Sequence, residues 1–166
     1  FPLSSGDGYN NRYALTAACL QTGYLVVHPI PRMDAATTLR ALNIAVIHRF
    51  GLPRVLYCDN GASFGGAFHS SCIKMGIDVR KVAAYRPRAN IVERKHSLIK
   101  QIGRAIGHLT ERSASLTWEN LLSTAAASIN QHFCVSGEIP AHTLVYGHKP
   151  RGTLDNLLRP RSILAV

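Results

Sequence analysis

Two carboxylates in the middle of the sequence have the types and positions that metal-dependent phosphoryl chemistry uses. Asp59 directly follows a short apolar run at 54–58, and Asn60-Gly61 comes next. Glu93 stands at the start of a long amphipathic segment. A strand end and a helix start can bring two such side chains together at the edge of a sheet. Hard divalent cations bind oxygen ligands of this kind, and Mg²⁺ binds through a few carboxylates together with substrate phosphates.

Each acid also has an ordinary structural explanation. Asp-Asn-Gly is a common turn sequence, because Asp and Asn bond their own backbone and Gly61 tolerates a sharp turn. Glu93 falls three residues after Asn90, which is the capping-box position where a Glu bonds the amide of the N-cap residue. The residue types alone leave these interpretations open, and at Glu93 metal binding and partial capping can alternate.

The charge of the chain predicts a polyanionic partner. The sequence has 19 Lys and Arg against 9 Asp and Glu, a formal net charge of +10. Nine of these cations and only two acids, Glu93 and Glu111, fall between Arg80 and Arg112. Because Lys and Arg that meet phosphates release condensed counterions, this segment favours nucleic acid over a basic balance that serves solubility alone.

The candidate DNA contacts surround Glu93. Lys100 and His96 share its face of the predicted helix, so a phosphate beside the carboxylates would lie near them. We expect contacts to phosphate, with little reading of base sequence, and the alternative is a solvated basic helix face. The candidate residues are Arg86, Arg88, Arg94, Lys95, His96 and Lys100.

The periodicity and the turn residues predict an α/β domain. Asp34 is the expected N-cap of the first helix, and Gly51 and Pro53 end it. The predicted strands are 12–20, 23–30, 54–58 and 77–83, the third buried and parallel, and the predicted helices are 35–50, 64–75, 91–111 and 117–131. In the helix 91–111 the predicted apolar face holds Ile91, Leu98, Ile102, Ile106 and Leu109.

Length and composition indicate one globular domain. A chain of 166 residues with 46% hydrophobic and 17% charged residues can build a full core. The four cysteines form no C-x-x-C pair, and His69-x-x-Cys72 stands alone, so no zinc or redox motif is expected. No apolar run reaches the ~20 residues that span a bilayer. Phe1 is not an initiator methionine, so we expect a fragment or a processed product.

Five segments together resemble the integrase catalytic core of retroviruses and gypsy-like long-terminal-repeat retrotransposons. The segments are FPLS at 1–4, RFGLP at 49–53, DNGASF at 59–64, YRPRANIVER at 85–94 and IPAHTLVYGHK at 139–149. Each one is weak, but their order and spacing are specific, and they cover nearly the whole chain. The resemblance implies a ribonuclease-H-like fold, with a five-stranded mixed sheet flanked by helices, over residues 1–150, followed by a basic tail at 151–166.

The resemblance also implies roles for individual residues. Asp59 and Glu93 match the second and third of three carboxylates that hold two Mg²⁺ or Mn²⁺ ions. Trp118 and Asn130 match a late pattern that we interpret as packing and helix anchoring.

Two departures from the family bear on activity. The first aspartate is absent from its place before FPLS, and neither Asp7 nor Asp34 fits, so the first strand is expected to be truncated. Only 33 residues separate Asp59 from Glu93, fewer than the family usually has, and Asn90 runs into Ile91 without the usual glycine.

The function implied is DNA integration by a polynucleotidyl transferase, through 3′-end processing and strand transfer. DNA of the element ends and the target would be the partner, with self-association, no membrane contact, and a nuclear or retroelement-particle location. Short of one acid, this fragment is expected to have little activity alone. The alternative is a non-catalytic DNA-binding or oligomerisation module from a decayed or domesticated integrase. A nuclease for RNA–DNA hybrids is a third possibility, which the segment 139–149 disfavours.

Overall fold

The structure is a computed structural model that describes residues 11–82, 89–110, 117–132 and 138–151. Within helices, the side chains of residues 89–91, 93 and 106–110 lie outside this description. In chain order the described elements are β1 (Tyr13–Ala18), β2 (Leu25–Ile30), α1 (Ala35–Leu42), a π-helical turn (Asn43–Ile47), α2 (His48–Phe50), β3 (Val55–Cys58), a 3₁₀ turn (Ala62–Phe64), α3 (Gly66–Lys74), β4 (Asp78–Lys81), α4 (Ala89–Thr110), α5 (Trp118–His132) and α6 (Ala141–Tyr146).

The first two predicted strands form a hairpin, and both are shorter than predicted. β1 and β2 pair antiparallel, and Tyr13 lies opposite Ile30. The turn is closed by two bonds, from Cys19 N to Tyr24 O at 2.9 Å and from Gly23 N to Cys19 O at 2.8 Å. Gly23 has φ 69°, a conformation that glycine adopts without a steric penalty.

The first helical segment follows its predicted bounds. Asp34 Oδ1 accepts a hydrogen bond from Thr37 N at 2.8 Å, which satisfies one of the free amides of the first turn. The segment runs from α1 through the π-helical turn to α2, and Gly51 at φ 83° ends it. The apolar pattern did not distinguish the π-helical turn from regular helix.

The second strand pair is parallel, with β3 and β4 joined by the 3₁₀ turn and α3. Val55 lies opposite Asp78, and Cys58 lies opposite Lys81. The sequence predicted a buried third strand, but only Cys58 of β3 is buried. The difference has a physical reason: its neighbour β4 is the charged strand DVRK and leaves the pair solvated.

Two apolar clusters lie on opposite faces of the hairpin, since neighbouring strand residues point to opposite sides. Leu15 and Ile30 belong to the cluster with α1 and α3, whereas Leu25 belongs to the cluster with α4 and α5. Helices therefore cover both faces. The described strands form two pairs, so the expected five-stranded sheet is not seen in this part of the chain.

Asn130 ties α5 to the hairpin. Its side-chain oxygen accepts from Leu25 N at 2.7 Å, and its side-chain nitrogen donates to Leu25 O at 2.8 Å. The carboxamide thus replaces the peptide group of a neighbouring strand, and both residues are buried. Trp118 packs against the second cluster. The interpretation of this pair as packing and anchoring residues is confirmed.

The core face of α4 is wider than the predicted one. The predicted Leu98 and Ile102 are half-buried and pack against the second cluster, and Lys95, Ile99 and Gly103, spaced four apart, are buried beside them. A Cβ placed on Gly103 would lie 2.9 Å from Leu121 Cδ2, so the missing side chain lets α4 and α5 approach closely. The apolar pattern did not include Lys95 and Gly103, because neither has an apolar side chain.

Loss of the Asn130 carboxamide should destabilise the protein strongly. In Asn130→Ala the N–H and C=O of Leu25 lose their partners while buried, which we expect to cost about 2–4 kcal/mol of unfolding free energy. Urea unfolding measures this change. Asn120→Ala makes the same substitution at an exposed position of α5 and should change stability little; equal effects of the two variants would contradict the anchoring role.

The cap at Asp34 predicts a pH-dependent contribution to stability. Hydrogen bonds from the backbone and then the side chain of Thr37 lower the pKa of Asp34 from 3.8. A carboxyl group whose pKa is lower in the folded state stabilises it above the unfolded pKa and loses that contribution as pH falls through the folded pKa. The stability difference between wild type and Asp34→Ala should therefore shrink in acid. A difference that stays constant there, in urea unfolding at several pH values, would be inconsistent with the cap.

Candidate active site and nucleic-acid interface

Asp59 lies at the carboxyl end of β3, where the chain turns into the 3₁₀ segment. The residue is exposed, and its Oδ1 accepts a hydrogen bond from Gly61 N at 2.8 Å. Phe64 N donates to Gly61 O at 3.0 Å, and the Phe64 ring meets the buried Phe68 ring edge-on at 5.3 Å. The turn that carries the carboxylate is therefore fastened to the first apolar cluster.

This geometry confirms the turn at Asp59 and is compatible with a metal-ligand role. The predicted Asp-Asn-Gly turn is formed by the carboxylate itself. A carboxylate has two oxygens with about four acceptor positions, so one bond to an amide leaves room for further ligands. An exposed carboxylate at the end of a parallel strand is also the usual place for a ligand contact in open α/β sheets.

The backbone of Glu93 lies in α4, and its side chain is outside the description. The helix begins at Ala89, so Asn90 is helical and does not occupy the N-cap position that the capping-box explanation requires. Among residues with described side chains, no group of three or more His, Cys, Asp and Glu could hold a metal ion. The pairing of Asp59 with Glu93 stays a prediction.

The predicted DNA contacts of α4 have different exposures. Arg94 and Lys100 are exposed, His96 is half-buried, and each has an interaction within the protein. Lys95 is only 5% exposed. A buried charge needs partners inside the protein, so the structure gives Lys95 a position that does not suit the predicted phosphate contact. Arg86 and Arg88 lie outside the described residues.

A groove of about 420 Å³ lies between α4 and α5 beside these cations. Its floor is apolar, and Lys100 and Arg104 form part of its α4 wall. The lining residues are Ile99, Lys100, Gly103, Arg104, Trp118, Leu121 and Leu122. Gly103 lies in the wall of this groove, which sequence patterns did not indicate.

The cysteines beside the candidate site have no catalytic features. Burial, and then the negative charge of Asp59, raises the pKa of the Cys58 thiol. Burial also raises the pKa of Cys72, with a smaller contribution from Cys58. A thiol with a raised pKa is a poor nucleophile because little thiolate is present. Both residues are buried and act as small apolar core groups.

The chain belongs to the integrase core domain family. The family model for the integrase core domain matches residues 2–87, just over half of the chain. This match includes Asp59 and the segments before it, and it ends before α4, so it does not reach Glu93.

Viral polyproteins contain similar sequences. The Pro-Pol polyprotein of simian foamy virus type 3 is 28% identical over 148 residues, which are 88% of this chain and 12% of the polyprotein. The Gag-Pol polyprotein of koala retrovirus is 30% identical over 119 residues, 70% of this chain and 7% of the polyprotein. The chain thus spans a small part of the length of these relatives.

Solved integrase cores share the fold. The catalytic core domain of BIV integrase superposes with a TM-score of 0.62 at 24% identity, over 78% of this chain and 82% of that one. The HTLV-2 integrase catalytic core domain in complex with magnesium, in a dimeric form, gives 0.57 at 20% identity, over 73% and 75% of the two chains. These similarities show a ribonuclease-H-like fold for the described residues. None of the described helices is long and apolar enough to cross a membrane.

Reversing the charge of Lys100 should weaken DNA binding and its dependence on salt. Lys100 is exposed on α4, two helical turns after Glu93, so Lys100→Glu should remove one phosphate contact and lower the slope of log K against log salt by about 1. Fluorescence anisotropy at several salt concentrations measures the slope. Lys74→Glu makes the same charge change on α3, and an equal effect of the two substitutions would disprove a specific contact.

Proposed function

We propose that this chain is the catalytic core region of a gypsy-like retroelement integrase, which processes 3′ DNA ends and joins them to target DNA. The observation that carries the proposal is the exposed Asp59 carboxylate at the end of β3, inside the segment matched by the integrase core domain family. Because the chain spans only a small part of its viral relatives, the activity is proposed for the longer protein that contains it.

The proposal includes Mg²⁺ or Mn²⁺ held by Asp59 and Glu93. The donor chemistry fits, since Asp59 offers carboxylate oxygens and Gly61 leaves open the space beside them. A pair of such ions would activate the attacking oxygen and stabilise the leaving one. Asp34 is committed to capping α1, so it does not supply the third carboxylate. The HTLV-2 core in complex with magnesium supports the choice of ion.

The strand pairs support a larger sheet of the five-stranded type. Leu15 of β1 belongs to the first apolar cluster, against which Leu56 of β3 and Val79 of β4 also pack. Two strand pairs on one cluster are consistent with two parts of a single sheet joined through a further strand. We propose that this strand carries the first catalytic aspartate.

DNA and a second copy of the chain are the proposed partners, in the nucleus or in a retroelement particle. The exposed cations of α4 support DNA binding. Self-association is supported by exposed aromatic rings near the turn between β1 and β2. There the Tyr24 ring contacts the rings of Phe50 and Tyr146, at centroid distances of 5.6 and 5.8 Å. Phe50 is 41% and Tyr146 is 47% exposed, an apolar surface that a second copy would cover.

A second candidate function is a non-catalytic DNA-binding or oligomerisation module. The short separation of 33 residues between Asp59 and Glu93 favours it. Both candidates predict DNA binding, so only a test of the chemistry distinguishes them.

The decisive test is Mn²⁺-dependent phosphoryl transfer on branched DNA, with the chain extended upstream to complete the first strand. Asp59→Asn and Glu93→Gln should each lower the rate by at least about 100-fold while DNA binding persists, since each removes a metal ligand. Glu138→Gln, an exposed change elsewhere, is the matched control and should keep the wild-type rate. An inactive but folded and DNA-binding wild type would favour the non-catalytic module.

A further inference from the structure

Gly61 occupies the space next to the carboxylate of Asp59. Its backbone amide donates to Asp59 Oδ1 at 2.8 Å. A Cβ placed on residue 61 would lie 2.8 Å from the same oxygen, closer than real Cβ atoms approach a neighbour. The other nearby atoms, Phe64 Cδ2 at 3.6 Å and Asp59 Cγ at 3.7 Å, would be in ordinary van der Waals contact. The carboxylate oxygen is therefore the one obstacle to a side chain there.

The backbone of residue 61 does not itself require glycine. Its φ of −58° and ψ of 143° lie in the extended region that all L-residues adopt. The turn sequence alone suggested that Gly61 serves to bend the chain. In the structure, glycine is needed at residue 61 because the Asp59 carboxylate takes the space that a Cβ would fill.

We propose that Gly61 is a positioning residue for the metal ligand Asp59. Its amide holds one carboxylate oxygen, and its lack of a Cβ lets that oxygen stay close to the backbone at the end of β3. The second oxygen then keeps one orientation, ready for a cation. This inference rests on the proposed metal site and adds a residue that acts through Asp59 without contacting the ion.

The proposal predicts that Gly61→Ala weakens metal binding without lowering the stability of the fold. Asp59 is exposed, and the displaced atom in Gly61→Ala is the end of a side chain that can take another rotamer. The carboxylate can therefore move away without disturbing the first apolar cluster. We expect Gly61→Ala to unfold at the wild-type temperature and to bind Mn²⁺ about 10-fold or more weakly, as when a ligand loses its orienting partner.

Gly65→Ala is the matched control. Gly65 lies in the same loop, has extended backbone at φ −95° and ψ 179°, and would bring its new Cβ to 3.4 Å from Ala62 O. No atom of Asp59 lies within 4 Å of this Cβ position, so Mn²⁺ affinity should be unchanged. Because alanine is a poorer N-cap than glycine, this variant should be the less stable of the two, which separates a local loss of stability from a loss of ligand orientation.

The experiment is Mn²⁺ binding to the whole chain by electron paramagnetic resonance, with thermal unfolding of each variant. Asp59→Asn is the reference for loss of the ligand. If Asp59→Asn weakens binding and Gly61→Ala does not, Gly61 has no positioning role. A large loss of stability in Gly61→Ala would also overturn the inference, since the obstacle would then lie in the fold. If Asp59→Asn binds like wild type, or wild type does not bind, the proposed metal site itself fails.

Discussion

The described structure depends on a hairpin that is covered by helices on both faces. Alternate residues of β1 and β2 point into two apolar clusters, so the strands organise α1 and α3 on one side and α4 and α5 on the other. The hairpin also has an open edge along β2, where the N–H and C=O of Leu25 need partners. Asn130 supplies both bonds from α5. A buried peptide group without partners is costly, so this pair of bonds sets the position of α5 along the strand.

The packing of α4 against α5 is closest at Gly103, where the absence of a side chain admits Leu121. On the side of α4 that carries Gly103, Ile99 and Lys95 are buried, whereas Arg94 and Lys100 are exposed. The basic surface proposed for DNA therefore reflects helix packing as well as the local density of Lys and Arg. Gly103 and Arg104 also line the groove between the two helices.

The candidate site combines a fastened turn with an exposed carboxylate. Phe64 and Phe68 attach the turn to the core, and Gly61 holds one oxygen of Asp59. The one hydrogen bond to Gly61 leaves further acceptor positions of the exposed carboxylate open to a cation. Membership in the integrase core domain family gives this arrangement its most direct explanation. The backbone of Glu93, the second carboxylate of the proposed site, lies in α4.

Sequence alone determined the features that short-range interactions control. The turn at Gly23 set the hairpin, the Asp34 cap and Gly51 set the first helical segment, and the position of Asp59 after β3 followed from the apolar run before it. Tertiary structure decided the burial of Lys95, the partner of Asn130 and the space beside Gly61. Periodicity and caps depend on residues a few positions apart in the sequence. These three features depend instead on which groups come into contact once the chain has folded. No local pattern indicates the close approach of α4 and α5 at Gly103, because it arises only when the two helices pack together.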